Sequence, residues 1–171
     1  MGVGYLTGQG GGGSNVKSVQ RGSILMDATT KNITISSVDL QKSVVIVNTV
    51  SAESTIDKIL VSGSITSATN LRLTIGAIST TTYVYWQVIE FNNVKTLQTG
   101  TTTLTSATTT VNISNVNMTK SIIFSSFKST NAQTASLGNQ TAYIDSTTTI
   151  VLKDANYITG KSAIWYVIEF K

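Results

Sequence analysis

Apolar and polar residues alternate along most of this chain, as they do in half-buried β-strands. In the segment 71–76, Leu71, Leu73 and Ile75 share one face, and polar residues occupy the other. The longer segment 79–91 (STTTYVYWQVIEF) alternates in the same way. Its first face carries Tyr83, Tyr85, Gln87, Ile89 and Phe91, and its second face carries Val84, Trp86, Val88 and Glu90. The pattern predicts strands throughout and no amphipathic helix.

One segment departs from strict alternation. KSVVIVNTV (42–50) is almost continuously apolar, which predicts a strand that is buried on both faces. Turn-forming stretches such as VSGSITSATN (61–70) and SLGNQT (136–141) separate the strands at spacings typical of β-sandwiches. We therefore expect an all-β fold made of short antiparallel strands.

The same succession of segments occurs twice along the chain. WQVIEF (86–91) returns as WYVIEF (165–170), and VKSVQRGSI from Val16 returns as VKTLQTGTT from Val94. Matches of this length, in the same order and nearly constant register, indicate a tandem duplication. The offset between copies is 78 residues at first and 79 towards the end, so one residue was gained or lost in between.

The duplication predicts three parts: a Gly-rich N-terminal arm (1–15), repeat one (16–91) and repeat two (94–170). Only Asn92 and Asn93 separate the repeats, and a joint this short should make the two modules abut. The expected fold class is all-β, with two tandem duplicated antiparallel β-sandwich-like modules of about six strands each.

The composition predicts that these modules need support from packing. Of 171 residues, 40% are hydrophobic, but each repeat is shorter than about 80 residues, a size at which an isolated core is marginal. The chain contains no cysteine, so disulfides cannot supply the missing stability. Packing of module on module or of chain on chain remains, and we expect a homo-oligomer.

The residue inventory excludes most enzyme chemistry. Without histidine or cysteine, the chain cannot build a Ser-His-Asp or Cys-His nucleophile system or an ordinary zinc site. Glu90 and Glu169 are the best candidates for a glycosidase-like carboxylate pair. They occupy equivalent positions of the two repeats, however, and the favoured interpretation is that they form structural ion pairs with Lys17 and Lys95. We predict no catalytic, cofactor or metal site and no enzyme activity.

Charge and hydropathy exclude two further partners. The twelve basic residues exceed the eight acidic ones, but they are scattered singly, so nucleic acid is not an expected partner. No apolar run approaches the roughly 20 residues that cross a bilayer, and a membrane is not expected either. Trp86 and Trp165 could each stack on a sugar ring, but core packing is favoured because both lie within strands beside valines.

The Gly-rich segment GQGGGGS (8–14) lacks the spacing of a phosphate-binding loop. Two interpretations of this segment stay open. It is either a flexible spacer, natural or engineered, or an arm that carries Tyr5 and Leu6 to a partner. Glycine has the largest backbone entropy to lose on ordering. We therefore expect the arm to be disordered in the free chain and ordered when Tyr5 and Leu6 anchor in a groove of a neighbouring protein.

Three strings after the Gly-rich lead carry a family resemblance: VKSVQRG (16–22), SSVDLQKSVV (36–45) and YWQVIEF (85–91). Together they resemble small β-rich virion proteins of tailed bacteriophages, in which such modules occur in head-decoration, fibre and tail proteins. The resemblance covers both repeats. Repeat two has Thr99 in place of Arg21, so a role specific to that arginine does not carry over.

The resemblance implies a non-enzymatic virion structural protein, made in the host cytoplasm, that decorates or stabilises the capsid or tail. Its implied partners are other copies of itself, as a trimer by analogy, and other virion proteins. A fainter similarity to H-type lectins implies the alternative, a tail-fibre module that binds a host-surface glycan or receptor. The lack of a long shaft favours the structural role, whereas a glycan binder should expose Trp or Tyr in its loops.

Overall fold

The computed structural model describes residues 15–134 and 139–171, and in these ranges the protein is all-β. The first half contains β1 (Val16–Leu25), β2 (Thr30–Thr34), β3 (Ser43–Val50), β4 (Val61–Ser67), β5 (Asn70–Ile75) and β6 (Tyr83–Phe91). The second half contains β7 (Val94–Thr103), β8 (Thr108–Asn112), β9 (Ser121–Ser129), β10 (Gln140–Ser146), β11 (Thr149–Asp154) and β12 (Lys161–Phe170). Two 3₁₀ turns, Ile56–Lys58 and Met118–Lys120, interrupt the strands.

The strands form four antiparallel three-stranded sheets, and each sheet draws all its strands from one half. The first half has the orders β1-β6-β3 and β2-β5-β4, and the second half has β7-β12-β9 and β10-β11-β8. Strand register agrees as well, since Gly22 pairs with Trp86 and Gly100 pairs with Trp165. Equal topology and register are what a duplication requires, and none of these four sheets combines strands from both sides of Asn92–Asn93.

Each half has its own apolar core between its two sheets. In the first half, Val84 and Val88 of β6 face Leu71 and Leu73 of β5, and all four are at most 1% exposed. The faces predicted for β5 and β6 from alternation are therefore the faces observed. Each such side chain contributes about 1.5–3 kcal/mol when it is fully buried. A second cluster, around Trp165 and Val167, fills the other half.

Strand β3 differs from the prediction that it is buried on both faces. Val44 and Val45 are 0% and 2% exposed, but Val50, at the end of the strand, is 63% exposed. The strand lies at the edge of its sheet, next to β6 alone. Continuous apolar sequence indicates a strand but not its neighbours. Only the start of β3 is covered, because Val44 belongs to the apolar cluster that joins the two halves.

The halves pack against each other through that cluster. The outer face of the sheet β7-β12-β9, which points away from its own core, contributes Tyr166 and Ile168 at 4% and 0% exposure. Phe91 lies at the joint, with its ring 5.3 Å from Phe170 in an edge-to-face arrangement and 6.5 Å from Phe124. The core of the first half is thereby continuous with the outer face of the second.

Polar contacts in this interface involve different surfaces of the two halves. The first half contributes its β3–β4 edge: the backbone N–H of Gly63 donates to Ser126 Oγ at 3.0 Å, and that of Ile65 donates to the Tyr166 hydroxyl at 3.3 Å. Edge strands expose unpaired backbone groups, and here side chains of the other half satisfy them. Burial raises the pKa of the Tyr166 hydroxyl, which matches its place inside the interface.

Candidate functional site

The four residues named as structural ion pairs come together as two pairs. Lys17 Nζ lies 2.8 Å from Glu90 Oε1, and Lys95 Nζ lies 2.9 Å from Glu169 Oε1. Each lysine is the extra residue of a β-bulge, where the register of β1 or β7 shifts against its partner strand. A bulge re-aims its side chain, which here lets the ammonium reach a carboxylate on the inner face of the sheet.

The two glutamates face the cores of different halves. Their side chains are only 3% and 2% exposed, whereas those of Lys17 and Lys95 are 58% and 59% exposed. Glu90 Oε2 also accepts from Ser18 Oγ at 3.5 Å, but Glu169 Oε2 has no hydrogen-bond partner among the described residues. A buried carboxylate is stable only when it is paired. Each pair therefore serves to hold a bulged strand end.

The environment of Glu169 favours its charged form. The hydrogen bond from Lys95 holds the pKa of this carboxyl below its usual value. The Asn117 backbone amide acts in the same direction, and burial opposes both. A lowered pKa in the folded state means that the carboxylate stabilises the fold above about pH 4.5, its ordinary value. This contribution is lost as the pH falls through the lowered pKa.

We expect Lys95→Met to destabilise the protein more at pH 7 than at pH 3, because at pH 7 it leaves the Glu169 carboxylate buried and unpaired. Urea unfolding followed by tryptophan fluorescence at both pH values measures the difference. Lys31→Met is the control, because Lys31 pairs with Asp27, which is 54% exposed, and its effect should be small. Equal destabilisation by Lys95→Met at both pH values would contradict the pairing.

The glutamine shared by the two repeats ties the first strand of each half to the connection that follows the second strand. Gln20 Nε2 donates to the Ser36 carbonyl at 2.9 Å, and Gln20 Oε1 accepts from the Ser36 N–H at 2.6 Å. Gln98 makes the same two bonds to Ser114, at 2.9 and 2.6 Å. The side-chain amide thus imitates a neighbouring strand for one residue, which explains why the motif needs a glutamine.

The tryptophans of the repeated ending cover the glycines of the repeated beginning. A Cβ on Gly22 would lie 2.7 Å from Trp86 Cζ2, and one on Gly100 would lie 2.6 Å from Trp165 Cζ2. The indoles are 9% and 7% exposed, and Trp165 Nε1 donates to Thr102 Oγ1 at 3.0 Å. Both tryptophans are therefore core residues in this structure and do not offer a stacking surface.

Several exposed apolar side chains share the outer side of the sheet β1-β6-β3. Tyr83 and Tyr85 are 48% and 52% exposed there. Val50 of β3 pairs with Tyr83, and Val19 of β1 lies further along the same face, opposite Ile89. We call these four residues the tyrosine face. Alternation placed both tyrosines on one side of β6 but could not say whether that side was covered.

The second half contains a fully buried ion pair that no sequence motif predicts. Lys161 Nζ lies 2.6 Å from Asp154 Oδ2, and both side chains are 0% exposed. Asp154 Oδ1 accepts from Gln140 Nε2 at 3.0 Å, and Lys161 also reaches the Asn156 carbonyl at 3.4 Å. The only available signal was the contrast between repeats, because the first half has Ile75 and Thr82 at these positions.

A shallow polar groove of about 400 Å³ lies beside the joint of the two halves. Its two lysines already have partners, since Lys42 pairs with Asp39 at 3.1 Å and Lys95 pairs with Glu169. The remaining lining is mostly uncharged: Gln41, Val94, Thr96, Leu97, Gln98, Ser114 and Asn115. This lining does not define a catalytic or anion-binding site.

Residues 15–134 and 139–171 contain neither a metal-binding cluster nor a membrane-spanning helix. No three acidic side chains in these ranges come together in a group that could hold a metal ion. None of the described helical segments has the length and apolar character needed to cross a membrane. The predicted arm anchors Tyr5 and Leu6 lie outside the described residues.

Comparison with known proteins adds no relative: no family model, curated protein or solved structure matches this chain.

Proposed function

We propose that this protein is a non-enzymatic structural component of a tailed-bacteriophage particle, which decorates or stabilises the capsid or tail. The observation that carries the proposal is the use of the motif residues. Lys17 and Glu90 pair with each other, Gln20 ties β1 to the connection after β2, and Gly22 lies under Trp86. The residues that resemble virion proteins thus build the module, and function is left to its surfaces.

Those surfaces suit binding to proteins. Outward residues of β7 such as Thr101 and Thr103 are exposed, which gives this end of the strand a polar face. The tyrosine face adds aromatic anchors, and tyrosine is enriched where protein interfaces concentrate their binding energy. The proposed partners are other virion proteins and further copies of this chain, with a trimer as the expected assembly by analogy.

The proposal is tested on particles purified by density gradient from a host culture that makes the tagged chain. Immunogold labelling should place the tag on intact particles in many copies. Absence of the protein from particles that are otherwise complete would contradict the virion role.

A deletion of residues 2–13 should fold normally yet occupy particles less well, because Tyr5 and Leu6 are lost. A full-length variant with both residues changed to serine separates anchoring from arm length. If the deletion variant occupies particles at the wild-type level, the anchoring role of the arm is wrong and the virion role is unaffected.

A second candidate function is binding of a host-surface glycan, and one observation favours it. Tyr83 and Tyr85 expose their rings on the same strand, where they could stack on sugar rings. They lie on a strand face, however, and not in the loops where a glycan site was expected. Glycan-array binding that is lost in Tyr85→Thr but kept in Leu40→Thr would support this function.

A further inference from the structure

The interface within the chain joins two different surfaces, so it is a heterologous, or head-to-tail, interface. Interfaces of this type between subunits build rings and filaments. The second half contributes the outer face of its sheet, with Ser126 and Tyr166. The first half contributes its β3–β4 edge, with the backbone of Gly63 and Ile65. Since the halves share one topology, each possesses both kinds of surface.

Among residues 15–134 and 139–171, nothing covers one surface of each kind. On the first half, the register places Asn48 and Tyr85 where the second half has Ser126 and Ile164. Asn48 and Tyr85 are exposed, whereas Ser126 is buried and Ile164 half-buried in the interface. The tyrosine face is therefore the free counterpart of the surface that the second half uses.

On the second half, the counterpart of the β3–β4 edge is the β9–β10 edge. Ala142 and Ile144 of β10 pair with β11 as Gly63 and Ile65 of β4 pair with β5. Strand β10 has a sheet neighbour on one side only in the described part of the chain. Tyr143, between the two, is 36% exposed.

We propose that the tyrosine face of one molecule binds the β9–β10 edge of a second copy, which repeats between chains the contact made within each chain. The association is head-to-tail, so each molecule keeps one free surface of each kind. It closes into a ring when the rotation per molecule divides a full turn, and otherwise it grows as a filament. A three-membered ring would be the expected trimer.

Charge supports the same pairing. Arg21 lies beside Gln87 on the tyrosine-face side, at the position that Thr99 takes beside Tyr166 in the second half. Asp145 follows Ile144 as Thr66 follows Ile65. Both Arg21 and Asp145 are exposed. Within the chain, Thr99 and Thr66 lie next to the two residues of the Tyr166–Ile65 hydrogen bond. In the contact between chains, Arg21 and Asp145 take these two positions and place opposite charges there.

One difference sets the expected strength. Within the chain, Gly76 lets the Ser129 carbonyl approach closely, but the matching residue of the second half is Ala155. A Cβ there keeps the neighbouring chain further away, so the contact between chains is looser than the one within the chain. We therefore expect self-association that depends on concentration, and Ala155→Gly should strengthen it.

Sedimentation velocity of the purified full-length chain between about 1 and 100 µM, where weak interfaces dissociate, measures the association. The wild type should shift from monomer to larger species. Tyr85→Thr should raise the dissociation constant about tenfold or more, whereas Leu40→Thr, which removes an exposed apolar residue outside both surfaces, should not. A wild type that stays monomeric throughout overturns the proposal.

Charge exchange tests the orientation. Arg21→Glu and Asp145→Arg should each weaken association, and a chain that carries both should regain it. Mixing a Tyr85→Thr, Arg21→Glu chain with a Tyr143→Thr, Asp145→Asn chain should rebuild a head-to-tail contact only between the second chain's tyrosine face and the first chain's edge, which stops at dimers. If either mutant chain on its own associates as strongly as the wild type, the interface is twofold and the proposal is overturned.

These measurements use purified protein and do not depend on the proposed virion function. A chain that self-associates but is absent from particles would refute the function alone, and a monomeric chain that labels particles would refute the head-to-tail contact alone. If Tyr85→Thr abolishes glycan binding and leaves sedimentation unchanged, the tyrosine face binds glycan and the self-association proposal is wrong.

Discussion

Gly76→Ala should separate the two halves of the protein or unfold it at much lower denaturant concentration. A Cβ at this position would lie 1.8 Å from the Ser129 carbonyl oxygen and 2.8 Å from its carbon. Both are backbone atoms, so a rotamer change cannot relieve the overlap. Overpacking of a core costs about 1–3 kcal/mol when side chains can adjust, and here we expect the upper end or more.

Urea unfolding gives the free energy, and hydrogen exchange at the Gly63 and Ile65 amides reports directly on the interface, because these N–H groups bond to the second half. Both amides should lose protection in Gly76→Ala. The matched control is Ala155→Gly, whose position is exposed and whose effect should stay within about 1 kcal/mol. Wild-type stability and protection in Gly76→Ala would show that the halves do not approach this closely.

Lys161→Met should be the most destabilising single change in the second half. It leaves the Asp154 carboxylate uncompensated at 0% exposure, and breaking a buried pair in this way costs about 3–5 kcal/mol. The double variant Asp154→Ile with Lys161→Met removes both charges and introduces the residue found at the matching position, Ile75. Its stability should return to within about 2 kcal/mol of the wild type.

Thermal and urea unfolding of the single and double variants, followed by tryptophan fluorescence, measure this recovery. The double variant separates the loss of an ion pair from the loss of packing volume, because methionine fills much of the lysine's space in both. If the single variant is as stable as the wild type, the charges are not paired as the structure has them. If the double variant is no better than the single, packing and not charge explains the loss.

Much of each half could be read from the sequence because strand alternation is a local property. The spacing of Leu71, Leu73 and Ile75 predicts that they share one face of a strand, and all three are buried. The pairs of Lys17 with Glu90 and of Lys95 with Glu169 were suggested by their equivalent positions in the repeats. The repetition restricted which side chains could be partners, although the residues lie far apart along the chain.

What depends on the arrangement of the halves could not be read in the same way. Val50 and Tyr85 look like other strand residues, and their exposure follows from which sheet face the second half covers. Lys161 and Asp154 belong to different strands, and no motif spacing marks them as a pair. Repeat two has charged residues at two positions where repeat one has neutral ones. This contrast is visible only when the alignment of the two repeats is known.

The hydrogen bonds at the ends of the halves bear on how such a chain could arise. The Asn92 N–H donates to the Asn15 carbonyl at 2.8 Å, and the Lys171 N–H donates to the Asn93 carbonyl at 2.9 Å. Each half therefore begins and ends at one corner. A unit whose ends meet can be copied into a gene, excised or circularly permuted as a cassette, because its entry and exit points need no new path through the fold.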